Sequence, residues 1–252
     1  MTTSPATYGA TVARMTHLDR WAVAGTGSIR GGRWTKLALH ELDGSGRVLG
    51  EPALFEPMIG YSVPPALVGL KSRIVVFDVG SSLPGVVAST FTSPFAASPA
   101  DEHEIFEYGG GFLRATPFCD NALVSSSGGD GALHLAAFDP FDGIVTARRV
   151  ISPFPIALSL DHGTFLAASD GKGLVGVCAA TGDPGDSPEA DAPTVVKLFL
   201  FGPDLARLGL PIDVGEMDAT AAGCEVGFSD DNVLVAWWDH RVPVIHVRAV
   251  RP

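Results

Sequence analysis

The chain has 252 residues, a formal net charge of −11 and a pI near 4.9, which excludes the Lys/Arg-driven phosphate contacts that carry non-specific nucleic-acid binding. It is 46% hydrophobic and 18% charged, enough for a sizeable core at this length, and its 30 glycines and 19 prolines favour many turns over long helices. The three cysteines, Cys119, Cys178 and Cys224, are an odd number with no Cys-x-x-Cys spacing; neither a disulfide framework nor a zinc knuckle is expected, and the cytoplasm is the expected compartment. The opening residues, MTTSPATYGATVARMTHLDRW, hold no apolar run, and no stretch of about eighteen apolar residues occurs, so neither a signal peptide nor a membrane span is expected.

In chain order, TYGATVARM (7–15) reads as a strand. It is expected to close the last structural unit as that unit's outermost strand, or in part to line the first unit as its innermost. WAVAG and KLALHEL (21–42) follow as two strands around the Gly-rich connection GTGSIRGGRW, and LDGSGRVLG (42–50) is a turn leading to a further strand. ALVGL and RIVVFDV (66–79) flank the connection KSR. TSPFAASPADEHEIFEYGGG (92–111) reads as a long loop, with room for one helical turn in ADEHEIFEY. RATPFCDN, NALVSS, ALHLAAFD and the turn FDPFDGIV run from 114 to 145. TFLAASD (164–170) and VVKLFLF (195–201) form the next pair, leaving LVGVCAAT (174–181) as an extra strand. EVGFSDDN, VLVAWW and VIHVRAV (225–250) complete the chain.

These pieces repeat. A short apolar strand, a polar break and a second apolar strand recur with first strands near residues 21, 66, 122, 165 and 233. The spacing of roughly 50 residues is close to that of a four-stranded propeller blade. EVGFSDDN and RATPFCDN each stand just before such a strand, and FSDDNVLV and FCDNALV are the closest internal match. The expectation is an all-β, single-domain β-propeller of five blades with four short antiparallel strands each, labelled a to d from inside out; six blades is the alternative, because of LVGVCAAT. The hairpin VLVAWWDHRVPVIHVRAV resembles bacterial β-propeller repeat proteins whose blades carry an LVAW-x-D-x-R…I-x-x-R pattern. The resemblance implies fold rather than activity. Five-bladed propellers include tachylectin-type lectins and furanosidases with three axial carboxylates; of the furanosidase motifs only Phe138-Asp139-Pro140 and Cys224-Glu225 occur, out of place, and the units share no sugar-binding motif.

In a propeller the b–c and d–a connections open on one face, and here the b–c connections vary most. On this reading that face collects Arg30, Arg33, Lys71, Arg73, Lys172 and Arg241 with Asp130, Asp170 and Asp239, beside Trp238 and His240. The expected function is a single-site, monomeric propeller binding a small polar or anionic molecule, or a glycan, at the channel mouth, with no nucleic-acid or membrane partner. An enzyme acting at the same mouth is the alternative, with His103, Asp170 and Asp239 as candidate catalytic groups. The c–d turns at Asp43 and Asp204 are expected to be functionally silent. No cofactor motif occurs, and His17, His103 and His162 show no metal-ligand spacing, so no metal is expected. His40, His134 and His246 are expected to pack between blades with satisfied rings. Trp237 and Trp238 must point to opposite faces of one strand, one of them between blades.

Overall fold

The computed structural model describes residues 7–15, 17–28, 35–55, 65–79, 85–96, 99–107, 113–127, 132–151, 167–181, 194–217, 223–239 and 244–252. Within them the chain is all-β, built of five antiparallel sheets in succession. Sheet one is β1 (Thr7–Met15), β2 (Arg20–Ser28), β3 (Thr35–Leu42) and β4 (Val48–Phe55). Sheet two is β5 (Ala66–Leu70), β6 (Arg73–Val79), β7 (Val86–Thr92) and β8 (Asp101–Phe106). Sheet three is β9 (Leu113–Phe118), β10 (Asn121–Ser127), β11 (Leu133–Asp139) and β12 (Ile144–Ile151). Sheet four is β13 (Ala168–Ser169), β14 (Val175–Thr181), β15 (Thr194–Phe201) and β16 (Ile212–Met217), and sheet five is β17 (Gly223–Ser229), β18 (Asn232–Asp239) and β19 (Val244–Val250). The first strands of consecutive sheets lie beside one another, so they form the inner tier of a β-propeller whose five sheets fit five blades.

Four apolar clusters hold neighbouring sheets together. Met15, Ala22 and Leu39 meet Ile74 and Phe91 between sheets one and two. Phe77 and Val75 meet Val124 and Phe138 between two and three, with the Phe77 and Phe138 rings edge to face at 6.2 Å. Leu123 and Leu135 meet Val177 and Phe201 between three and four, and Leu198 and Val214 meet Val235 and Trp237 between four and five. Strands such as β6 are therefore apolar on both sides, because each middle sheet is covered by two neighbours. Where backbones approach, only glycine fits: a Cβ on Gly69 of β5 would run into the carbonyl oxygen of Arg14 in β1.

The connections from first to second strand form a belt on one end of the molecule. The His17 amide donates to the Lys71 carbonyl, Lys71 Nζ pairs with Asp120 at 2.9 Å, and the Cys119 amide donates to the Gly171 carbonyl. In three sheets this connection has two residues, and its first residue, Lys71, Cys119 or Asp230, sits in the left-handed region with φ of 50°, 54° and 44°. The connections from third to fourth strand open on the same end and use the expected chemistry. Asp43 Oδ1 accepts hydrogen bonds from the Ser45 hydroxyl and amide and the Arg47 amide, and Asp139 Oδ1 from the amides of Phe141 and Asp142. The hydroxyl of Ser45 and these amides hold the Asp43 carboxyl below its ordinary value. In all four four-stranded sheets the register shifts once between third and fourth strand, as a bulge that turns the outer strand.

Several expectations are corrected. TYGATVARM pairs with β2 from Met15↔Arg20 to Thr7↔Gly27 and so is the innermost strand of sheet one, not the closing strand of sheet five. The same residues, paired to β2 along their length at the inner edge of sheet one, cannot also lie at the outer edge of sheet five. LVGVCAAT is β14, the second strand of sheet four, with the end of TFLAASD as its inner neighbour, so it is not a left-over strand and does not support a sixth blade. The acidic stretch DEHEIF is β8 rather than a loop or helical turn; its register with β7 aligns Ala88 with His103. Cys178 and Cys224 form a disulfide joining sheets four and five, with Cα atoms 6.1 Å apart, and Cys119 is free and exposed. Their β-strands face one another across the sheet interface, a proximity that spacing in the chain does not reveal. Such a bridge is characteristic of oxidising compartments, against the cytoplasmic expectation. No helix among the described residues is long and apolar enough to cross a membrane.

Candidate functional site

The belt of turns moves several expected site residues to the other end of the molecule. KSR contains the β5–β6 connection and SDGKG the β13–β14 connection, so Lys71, Arg73, Asp170 and Lys172 lie with the a–b turns and not with the b–c connections. There they have structural work. The Arg73 guanidinium donates to the Pro140 carbonyl and lies 4.5 Å over the Phe141 ring, which joins sheets two and three. Asp170 Oδ1 accepts from the amides of Lys172, Gly173 and Leu174 and shapes its own turn. A two-residue hairpin turn reads the same at either end of a strand, which is why the chain order alone misassigned them.

The histidines also separate. His103 packs on Phe138 across the interface of sheets two and three, with ring centroids 5.6 Å apart. His134 packs edge-on to Phe106 across the same interface. His246 stacks on Trp237 at 5.3 Å within sheet five. His40 Nδ1 is enclosed without a hydrogen-bond partner, contrary to the expected satisfied ring. His17 sits in the β1–β2 connection, its amide bonded to the Lys71 carbonyl. Arg30, Arg33, Asp130, His162, His240 and Arg241 lie outside the described residues.

What the structure does bring together is a polar tier around the axis. Thr11, Arg114 and Glu225 each stand four residues before the last paired residue of an inner strand, namely Met15, Phe118 and Ser229. They share one height, toward the end where the d–a connections enter and away from the turn belt. Thr11 Oγ1 donates to the Pro65 carbonyl at 2.8 Å. Arg114 Nη1 donates to Glu225 Oε2 at 2.7 Å, linking the inner strands of sheets three and five across sheet four. Their side chains keep 34% and 47% of their accessible surface. A pair this exposed contributes about 1 kcal/mol or less, so either partner can be drawn off by an incoming charge at small cost.

Trp238 completes this corner. It pairs with Gly223, and Glu225 pairs with Ala236, so by strand alternation the half-buried indole shares a face of sheet five with the Glu225 side chain. Trp237 takes the opposite face and packs between sheets four and five, its Nε1 donating to the Glu216 carbonyl at 3.2 Å, as expected for one of the pair. Asp239 ends β18 opposite Val244, next to Trp238. Below Arg114, the Ser125 hydroxyl accepts the Ala167 amide at 3.2 Å, while the Ser126 hydroxyl is enclosed with no partner. Arg114 and Glu225 were absent from the expected site; they stand just upstream of the closest internal match, FCDNALV and FSDDNVLV, in the short pieces RATPFCDN and EVGFSDDN.

No family model and no curated protein matches the chain. Among solved structures, the chain is similar to the β-propeller domain of the Trilobed protease from Pyrococcus furiosus, a protein described as having an open velcro topology, at 9% identity and a TM-score of 0.56. That match covers 92% of this chain, which spans 66% of the length of the other. It is also similar to an α-L-arabinofuranosidase from Clostridium thermocellum, at 12% identity and a TM-score of 0.39, over 93% of this chain and 83% of that one. At these identities the likeness extends to the fold, and the fold is that of a β-propeller.

Proposed function

We propose that this chain is a single-site binding propeller that takes a small polar or anionic molecule at the axial mouth beside Arg114, Glu225 and Trp238. The observation that carries the reading is the Arg114–Glu225 pair: two opposite charges from different blades, half-exposed, at one height of the axis. A ligand carboxylate or phosphate fits the Arg114 guanidinium, which binds such groups in a two-pronged way. A ligand hydroxyl fits the Glu225 carboxylate as donor, and the Trp238 indole offers a flat apolar surface beside it. Asp239 ends β18 beside Trp238 and stays in the proposed mouth, whereas Arg73, Asp170 and Lys172 do not belong to it; Arg30, Arg33, Asp130, His240 and Arg241 are kept in it on the sequence reading alone.

The test is a thermal-shift and calorimetric screen of hexoses, hexuronates, dicarboxylates and inorganic phosphate. A hit should lose at least tenfold in affinity in Arg114→Ala and in Glu225→Gln, with melting temperatures close to that of the parent. Asp43→Ala, in a turn on the opposite end, should bind as the parent does. Equal losses in Asp43→Ala, or undiminished binding in Arg114→Ala, would place the site elsewhere.

A further inference from the structure

Arg114 and Glu225 neutralise each other, and this restricts what binds beside them. Arg114 Nη1 donates to Glu225 Oε2 at 2.7 Å. The guanidinium has further N–H groups, and the carboxylate a second oxygen, to offer a ligand. A ligand with negative charge alone gains the guanidinium but meets the carboxylate beside it, on a chain of net charge −11. A ligand with positive charge alone gains Glu225 and meets Arg114. A ligand with one charge of each sign replaces both halves of the pair. Its carboxylate takes the forked donors of Arg114, and its ammonium donates to Glu225.

The two ligand charges must also be close together. Arg114 and Glu225 touch, and they stand on β9 and β17, the inner strands of two different sheets. Only their side chains need part to admit a ligand whose carboxylate and ammonium sit on one carbon. Charges several carbons apart would hold the pair wide open.

Beside the charges lies an apolar shelf. Trp238 is half-buried and stands diagonally from Glu225, a separation of about 7 Å. Its partner on β17 is Gly223, which has no side chain to cover the indole, and its partner on β19 is Ile245. By strand alternation Glu225, Trp238 and Ile245 share one face of sheet five, and Ile245 is 72% exposed. A charge pair next to an indole and an open isoleucine fits a small molecule with a doubly charged head and an apolar tail.

We propose, on the reading that the mouth beside Arg114, Glu225 and Trp238 is the binding site, that its ligand is a free α-amino acid with an apolar side chain. The α-carboxylate lies on Arg114, the α-ammonium on Glu225, and the side chain on Trp238 and Ile245.

Calorimetric titration of the full chain near neutral pH tests this with L-phenylalanine and its two halves, phenylpropionate without the ammonium and phenethylamine without the carboxylate. L-Phenylalanine should bind roughly tenfold tighter or more than either half. Glu225→Gln should weaken L-phenylalanine by roughly tenfold and leave phenylpropionate as tight or tighter, because the repelling charge is gone. Ile245→Ser, a change at an exposed side chain, should keep the parent's melting temperature and narrow the preference for L-phenylalanine over glycine. Phenylpropionate as tight as L-phenylalanine, equal weakening of the two in Glu225→Gln, or an unchanged preference over glycine in Ile245→Ser would each overturn the assignment. Absence of L-phenylalanine binding overturns it whatever else binds. An Arg114-dependent complex with a hexuronate or phosphate would then leave the mouth in place, whereas L-phenylalanine binding undiminished in Arg114→Ala would remove the mouth and the assignment together.

Discussion

Replacing Glu41 by glutamine removes one charge from the junction of sheets one and two and leaves its shape intact. Glu41 is 3% exposed. Its Oε1 accepts hydrogen bonds from Arg20 Nη1 at 2.6 Å and Ser93 Oγ at 2.5 Å, and its Oε2 accepts the Phe95 amide at 3.1 Å. Burial pushes the carboxyl up, but the Ser93 hydroxyl, the Arg20 guanidinium and the Phe95 amide together hold it below its ordinary value of 4.5. Hydrogen bonds to a charged acceptor contribute about 1.5–3 kcal/mol and neutral ones about 1. Glutamine keeps part of the set, and the Arg20 side chain, 36% exposed, can rehydrate. The net loss is therefore about 2 kcal/mol, or about 4–8 °C in melting temperature for a chain of this size. The pH dependence has a definite sign. With a depressed folded pKa, the stabilisation is fully present above the unfolded value of about 4.5 and is lost as pH falls through the folded value. Differential scanning calorimetry of parent and Glu41→Gln should show the gap at pH 7 and its closure below pH 4.5. A gap under about 1 °C at pH 7, or one that stays constant down to pH 3, would refute this account of the junction.

Gly69→Ala should lower stability by about 2 kcal/mol or more, since the added methyl meets the Arg14 backbone rather than a side chain that can turn away; chemical denaturation checks this, and a melting point unchanged from the parent would contradict the close approach of β5 to β1. Opening the Cys178–Cys224 bridge by the double serine substitution frees a link between residues 46 apart. The chain-entropy estimate for such a loop is about 4 kcal/mol, read as a matching fall in denaturation midpoint, and thiol titration of the unfolded parent chain should find one free cysteine rather than three.

Much of the fold was legible in the chain. The recurring pair of apolar strands around Gly and Asp turns is a local signal, because side-chain alternation and turn chemistry act over a few residues. Hence LDGSGRVLG and FDPFDGIV form the turns they predict, and Trp237 and Trp238 divide between an interface and an open face. The placement of KSR and SDGKG was not legible, since a tight hairpin connection does not reveal which two strands of a blade it joins. For the same reason Arg73, Asp170 and Lys172 were assigned to a mouth from which they are absent.

By itself the sequence determined an all-β chain of repeated short hairpins with an acidic surface and a core large enough to hold it. The tertiary structure alone decided that Thr7–Met15 lines sheet one, that Cys178 meets Cys224, and that Arg114 meets Glu225 from 111 residues away. Those pairings depend on which sheets pack together and at what height around the axis. That is set by the summed burial of four interfaces between sheets, a long-range quantity that no short stretch of chain encodes.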